Sequence, residues 1–235
     1  MVFMGRQSNT FICVVFHHSS LRPEGYKMAK EFYESWKNCK FKMNLIILDN
    51  ESTCDFDFVD TSECEFIRID NQQANGGITG SWNTLCKVAI ERGADVIMGF
   101  NDDIILNDSL EVLAENTVDS NKVYVPLTDG MHDAWIEQKA DGIREGYRLT
   151  VKSINGFFMS FTSEFWHQKS IDGNLFIHNT FDDDNYIDDW AGQELMLWVW
   201  DYLYQTDADI IGDCWIHHKK LRSWKNARKH YKHDT

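Results

Sequence analysis

The apolar segment DVIMGF ends abruptly in Asn101-Asp102-Asp103. Hard divalent cations prefer carboxylate oxygens, and a short acidic stretch at a strand end can hold one at the rim of a cleft. A cation there acts as a Lewis acid on phosphate oxygens. Asp103 is the candidate ligand, and Asp102 is placed to touch a nucleotide ribose or metal-bound water, with Asn101 beside them. The competing use of such residues is a helix cap or Asx turn, which Asn107 and Asp108 already offer the next helix.

Four other groups can do related chemistry. Asp49 and Asn50 follow the apolar run NLIIL; a carboxylate there can accept the imide N–H of uracil or the N–H groups of guanine, unless the pair is a plain polar turn. Asn75-Gly76-Gly77, with Asn83 one helical stretch later, lets backbone approach a nucleotide or sugar closely. It lacks GxGxxG spacing and so is no dinucleotide fingerprint. His217 and His218 precede Lys219, Lys220 and Arg222. A neutral imidazole can complete the shell of a transition metal such as Mn2+, while the cations can clamp a diphosphate. In a strand the two rings face opposite sides, so one of them at most reaches the metal. Finally, Asp188, Asp189, Trp190 and Glu194 surround a helix start. Glu194 is the first candidate for a general base on an acceptor hydroxyl. Asp188 and Asp189 are the alternatives, and all three acids can instead simply favour the helix N-terminus. Trp190 can give a sugar an apolar platform.

These residues need a scaffold, and the chain alternates strand-like and helix-like segments. TFICVVF, NLIILD, CEFIRID and DVIMGF read as strands. Helices are predicted over 23–38, from about 81 to 92 and over 108–116. This rhythm implies an α/β fold with a mostly parallel central sheet flanked by helices. Ligands of such sheets bind beyond the carboxyl ends of the strands, which makes His17, Asp49, Asn75 and Asp102 expected neighbours. The second half is less regular. It offers the strand KVYVPL, a long polar connection to Leu149, the strand SINGFFMSF with a short helix after it, the apolar helix WAGQELMLWVWDYLYQ, and the strand DADIIGDCWIHH.

Composition narrows the partners. A 235-residue chain that is 43% hydrophobic can bury one substantial core, and neither repeat nor linker divides it. The net charge of -14 argues against nucleic-acid binding, whose affinity comes from Lys and Arg. The exception is the basic tail from Lys219 to Lys232, which can hold phosphates or be a solvated terminus. Six scattered cysteines without a CxxC pair fit a reducing compartment. The run from Phe11 to Phe16 is too short to span a bilayer and lacks a secretory pattern, so a soluble, cytoplasmic protein is expected.

Taken in order, ILDNEST, NGGITGSWN and FNDDI resemble the GT-A glycosyltransferases, especially the family-2-like inverting enzymes. The likeness is strongest over residues 10–106. NGFFMSF looks like their acceptor-side strand, and WAGQELMLWVW like their WGGE-type helix start. Asn101 stands where the family has the first Asp of its DXD motif, and Gln193-Glu194 where it has two acids. The resemblance implies a single Rossmann-like GT-A domain over 1–235, with a nucleotide-sugar half to about 106 and an acceptor half from about 107. It implies transfer from a UDP-sugar to a glycan or glycoconjugate hydroxyl with Mn2+ or Mg2+. Two other readings are a nucleotidyltransferase, which would normally carry a glycine-rich loop where this chain has HHSSLRPEG, and a sugar- or nucleotide-binding module without turnover.

Overall fold

The computed structural model describes residues 8–20, 22–71, 75, 77–118, 120–129, 133–151, 154, 158–176 and 208–219. The first strand, β1 (Thr10–Phe16), is buried along its whole length. Its alternate side chains feed two cores: Phe11, Cys13 and Val15 enter one, and Ile12, Val14 and Phe16 the other. A strand apolar on both faces must be covered on both, and the crossover helices do this. Helix α1 (Gly25–Asn38) lays Ala29, Phe32 and Tyr33 on the second core. Helix α2 (Gly77–Glu91) lays Trp82, Leu85, Cys86 and Ala89 on the first.

Strands β2 (Asn44–Asn50) and β3 (Glu65–Ile69) extend the sheet to one side of β1, and β4 (Val96–Phe100) pairs with its other side, all in parallel. The chain therefore reverses its direction of winding between β1 and β4. The short strand β5 (Ile104–Ile105), helix α3 (Leu110–Thr117) and strand β6 (Val123–Thr128) follow. After them come β7 (Arg148–Val151), β8 (Phe158–Thr162), α4 (Ser163–Lys169) and β9 (Ala208–His218). Among the described residues the sheet order is β3-β2-β1-β4-β8-β6-β9-β5, with β7 also on β9. Strands β1, β2, β3, β4, β6 and β9 run one way and β5, β7 and β8 the other. The sheet is thus mostly parallel, with antiparallel joints in the second half.

Two expected boundaries shift. Helix α1 begins at Gly25, two residues after Pro23, because its first turn packs on the end of β1: a Cβ at Gly25 would lie 2.0 Å from the His17 carbonyl oxygen. Helix α2 begins at Gly77 and absorbs part of the glycine loop. The polar stretch before Leu149 contains a 3-10 helix (Asp133–Gln138) and the first residue of β7, Arg148. The long strand β9 changes register against β6, where Pro126 faces Ile211 but Leu127 faces Trp215. Gly212 lies in that irregularity, its N–H and C=O bonded to Tyr147 and Arg144. The predicted helix WAGQELMLWVWDYLYQ lies outside the described residues. No helix among the described residues is long and apolar enough to cross a membrane.

Candidate functional site

Just past β4 the two aspartates have different surroundings. Asp102 is 2% exposed, and both its oxygens are held by Arg22, Oδ1 at 2.5 Å from Nη2 and Oδ2 at 3.1 Å from Nη1. Arg22 also donates to the His17 carbonyl at 3.0 Å. Burial works against the guanidinium charge, but Asp102 outweighs it and holds the Arg22 pKa above its ordinary value. Asp103 points elsewhere, with Oδ2 3.1 Å from His218 Nε2. Its Oδ1 is buried without a hydrogen-bond partner among the described residues. Burial would raise its carboxyl pKa, yet His218 and Arg22 hold it below the usual range.

This meeting comes from strand pairing. Strand β5 follows the acidic turn directly and runs antiparallel to the end of β9, with Ile104 opposite His218 and Ile105 opposite His217. The Lys219 N–H closes the register on the Asp103 carbonyl at 2.8 Å. Alternation along β9 then sends the two rings apart. His218 faces Asp103, whereas His217 Nδ1 lies 2.6 Å from Asp129 Oδ2. Lys219 makes an ion pair with Glu31 of α1.

A second group forms at the ends of β1 and β2. Asp49 is fully buried; its Oδ1 accepts the Ser52 N–H at 3.0 Å. Its Oδ2 makes no hydrogen bond among the described residues and lies 3.4 Å from Arg68 Nε. His17 Nδ1 is 2.8 Å from the Asn50 carbonyl. His18 donates its N–H to Ser52 Oγ at 3.0 Å and accepts the Thr53 N–H on its carbonyl at 2.9 Å. The Ser81 hydroxyl lies 3.1 Å from Asn50 Oδ1, 3.1 Å from Asn75 Nδ2 and 3.0 Å from the Gly77 carbonyl. Gly77 has φ +64°, a conformation that suits glycine. The exits of β1 and β2 and the start of α2 are therefore one hydrogen-bonded unit.

His17, Asp49, Asn50, Asn75 and Gly77 are brought together there, while Asp103 and His218 meet at the β5–β9 pairing; Arg22 links the two groups, bridging His17 to Asp102. Asn101 is half-buried at the end of β4. Asn83, read from the sequence alongside the glycine loop, has another position. Its amide accepts the N–H groups of Leu175 and Phe176 and donates to the Phe176 carbonyl at 2.6 Å, tying α2 to the segment after α4. Gly76, Asp188, Asp189, Trp190, Glu194, Lys220 and Arg222 lie outside the described residues. Two participants escaped the sequence reading. Arg22 is a lone basic residue in a loop and carries no motif. Asp129 did carry a signal, since it is the first acid after the apolar run VYVPLT, the same pattern that marked Asp49 and Asp102.

The Asp103–His218 pair offers a cation one carboxylate and one imidazole nitrogen, a donor set compatible with Mn2+. Asp103 Oδ1, without a partner among the described residues, is the atom such an ion would satisfy. Among the described residues no three His, Cys, Asp or Glu side chains form a ready cage, so these residues offer an ion two side-chain ligands.

No protein-family profile matches the sequence, and no characterised protein matches it by sequence. Solved structures match by fold. The crystal structure of GalNAc-T7 with UDP, GalNAc and Mn2+ superposes with a TM-score of 0.63 at 10% identity, over 92% of this chain and 44% of that one. The S. aureus TarS 1–349 structure in complex with UDP gives 0.57 at 14% identity, over 88% and 60%. Another TarS 1–349 structure gives 0.55 at 13%, over 93% and 63%. The chain spans less than two thirds of each of these. What the likeness shows is the architecture: this is the GT-A fold.

Proposed function

We propose that this chain is a metal-dependent glycosyltransferase that moves a sugar from a UDP-sugar to an acceptor hydroxyl. The observation that carries the reading is the Asp103–His218 pair at the carboxyl end of β4, beside the β1/β4 reversal where open α/β sheets bind ligands. In GalNAc-T7 the same fold holds UDP, GalNAc and Mn2+, and in TarS it holds UDP. Asp103 and His218 would hold Mn2+ or Mg2+, with His217 less suited because Asp129 engages its ring. The ion would supply Lewis acidity toward the departing diphosphate.

The chain's own residues divide the remaining work. Asp49 has one oxygen engaged by Ser52 and one that makes no hydrogen bond among the described residues. Asp49, also 3.4 Å from Arg68, would accept the imide N–H of uracil, and the UDP held by GalNAc-T7 and TarS favours UDP as the donor nucleotide. His17, Asn50, Asn75, Gly76 and Gly77 would line the nucleotide. Lys220 and Arg222 would neutralise the diphosphate as it leaves. Glu194 would deprotonate an acceptor resting against Trp190, giving inversion, with Asp188 and Asp189 the alternative bases. A glycan or glycoconjugate is the acceptor class this architecture suits.

The test is release of free sugar from a UDP-sugar with and without Mn2+. Metal-dependent release that falls by at least about 10² in Asp103→Ala supports the reading. UDP binding with no release under any metal would instead mark a binding module, consistent with Asn101 and Gln193 standing at the two places where the family has acids.

A further inference from the structure

Asp129 belongs to no motif, yet its carboxylate touches the two residues that end β9. Strands β6 and β9 run in parallel with Thr128 opposite Ile216, so Asp129 leaves β6 at the level where His217 and His218 leave β9. Oδ1 accepts the backbone N–H of His218 at 3.1 Å, and Oδ2 meets His217 Nδ1 at 2.6 Å. One carboxylate thus grips a peptide group and the neighbouring ring. Any rotation of the backbone at 217–218 breaks one of these bonds, and the same rotation swings the His218 ring on the opposite side of the strand. That ring is the one at 3.1 Å from Asp103. Pairing with the two-residue β5 and the Lys219 N–H on the Asp103 carbonyl at 2.8 Å hold this exit from one side, and the Asp129 clamp holds it from the β6 side.

We infer that Asp129 is a positioning residue: through the His218 peptide N–H it aims the His218 imidazole at Asp103 and so completes the cation site. This rests on reading Asp103 and His218 as that site. Side chains that orient metal ligands are worth 10–100-fold in metal affinity, and Asp129 has the geometry for such a role. Its contact with the ring of His217 serves to hold the carboxylate in place. His217 itself needs no contact with the ion.

The experiment is a Mn2+ titration of the full chain in the presence of UDP, followed by loss of the free-ion EPR signal, with metal-free UDP affinity measured alongside. Asp129→Ala should weaken Mn2+ binding about 10–100-fold and leave metal-free UDP affinity unchanged. Asp129→Asn, whose amide oxygen can still accept the His218 N–H, should recover most of the loss. Equal losses in Ala and Asn would overturn the backbone route. Wild-type Mn2+ affinity in Asp129→Ala, while Asp103→Ala and His218→Ala lose it, would overturn the positioning role. Unchanged affinity in Asp103→Ala and His218→Ala would remove the cation site itself. Should Asp129→Ala fail to fold, Asp129→Glu moves the carboxylate off the N–H and should show the same loss, with wild-type affinity again overturning the role.

Discussion

Neighbouring aspartates with one charge can have opposite tasks, and the partner decides which. Asp102 is enclosed by a bidentate guanidinium, whereas Asp103 has an imidazole on one oxygen and, among the described residues, no hydrogen-bond partner on the other. Removing one member of a buried pair strands the other, which typically costs about 3–5 kcal/mol, while replacing both by apolar groups is often close to neutral. Arg22→Met should therefore lower unfolding stability by about 3–5 kcal/mol in urea denaturation. Arg22→Met/Asp102→Leu should return most of it. A single variant as stable as the parent would show that Asp102 does not depend on Arg22. From the sequence, Asp103 is a candidate metal ligand and Asp102 a contact to a ribose or metal-bound water, with no sign of Arg22. The salt bridge that separates them joins residues 80 positions apart, and no local pattern records it.

At the scale of the elements, close approach of backbones does much of the positioning. Cys13 of β1 and Gly99 of β4 are register partners. Gly99 has φ +114°, and a Cβ there would lie 2.5 Å from the Cys13 carbonyl oxygen. A side chain would have both a strained conformation and a backbone clash, so Gly99→Ala should cost roughly 2–4 kcal/mol and shift the acidic turn that follows β4. Thermal melts check the first effect, and Mn2+ titration of the surviving folded fraction checks the second. Wild-type melting would mean that the two strands can separate freely. The first four strands and helices α1 to α3 were legible because they repeat one pattern, apolar run then polar loop then amphipathic helix. The region from 129 to 151 was not, since its 3-10 helix and the exposed edge strand β7 have little apolar periodicity to read.

For the whole molecule, acid is the informative variable. Asp103, Asp129 and Glu31 all have folded pKa values below their ordinary ones. Burial pushes Asp103 and Asp129 up but the histidines beside them more than compensate, and for Glu31 the Lys219 hydrogen bond dominates. A depressed folded pKa gives stability that is complete above the unfolded value and is lost as pH falls toward the folded one. Melting temperature should therefore hold from pH 7 to 5 and drop below about pH 4, with a shallower drop in Asp103→Asn. A profile flat to pH 3 would mean these carboxylates gain nothing on folding. The amino-acid sequence alone determined the strand and helix order of the first half, the GT-A resemblance, and the acids and histidines available at strand ends, because periodicity and composition are local properties. Only the tertiary structure decided which of them meet. Asp103 finds His218 across 115 positions and Asp129 finds His217 across 88, because β9 returns beside β5 and β6. Such pairings arise from sheet register, a property of two distant segments at once.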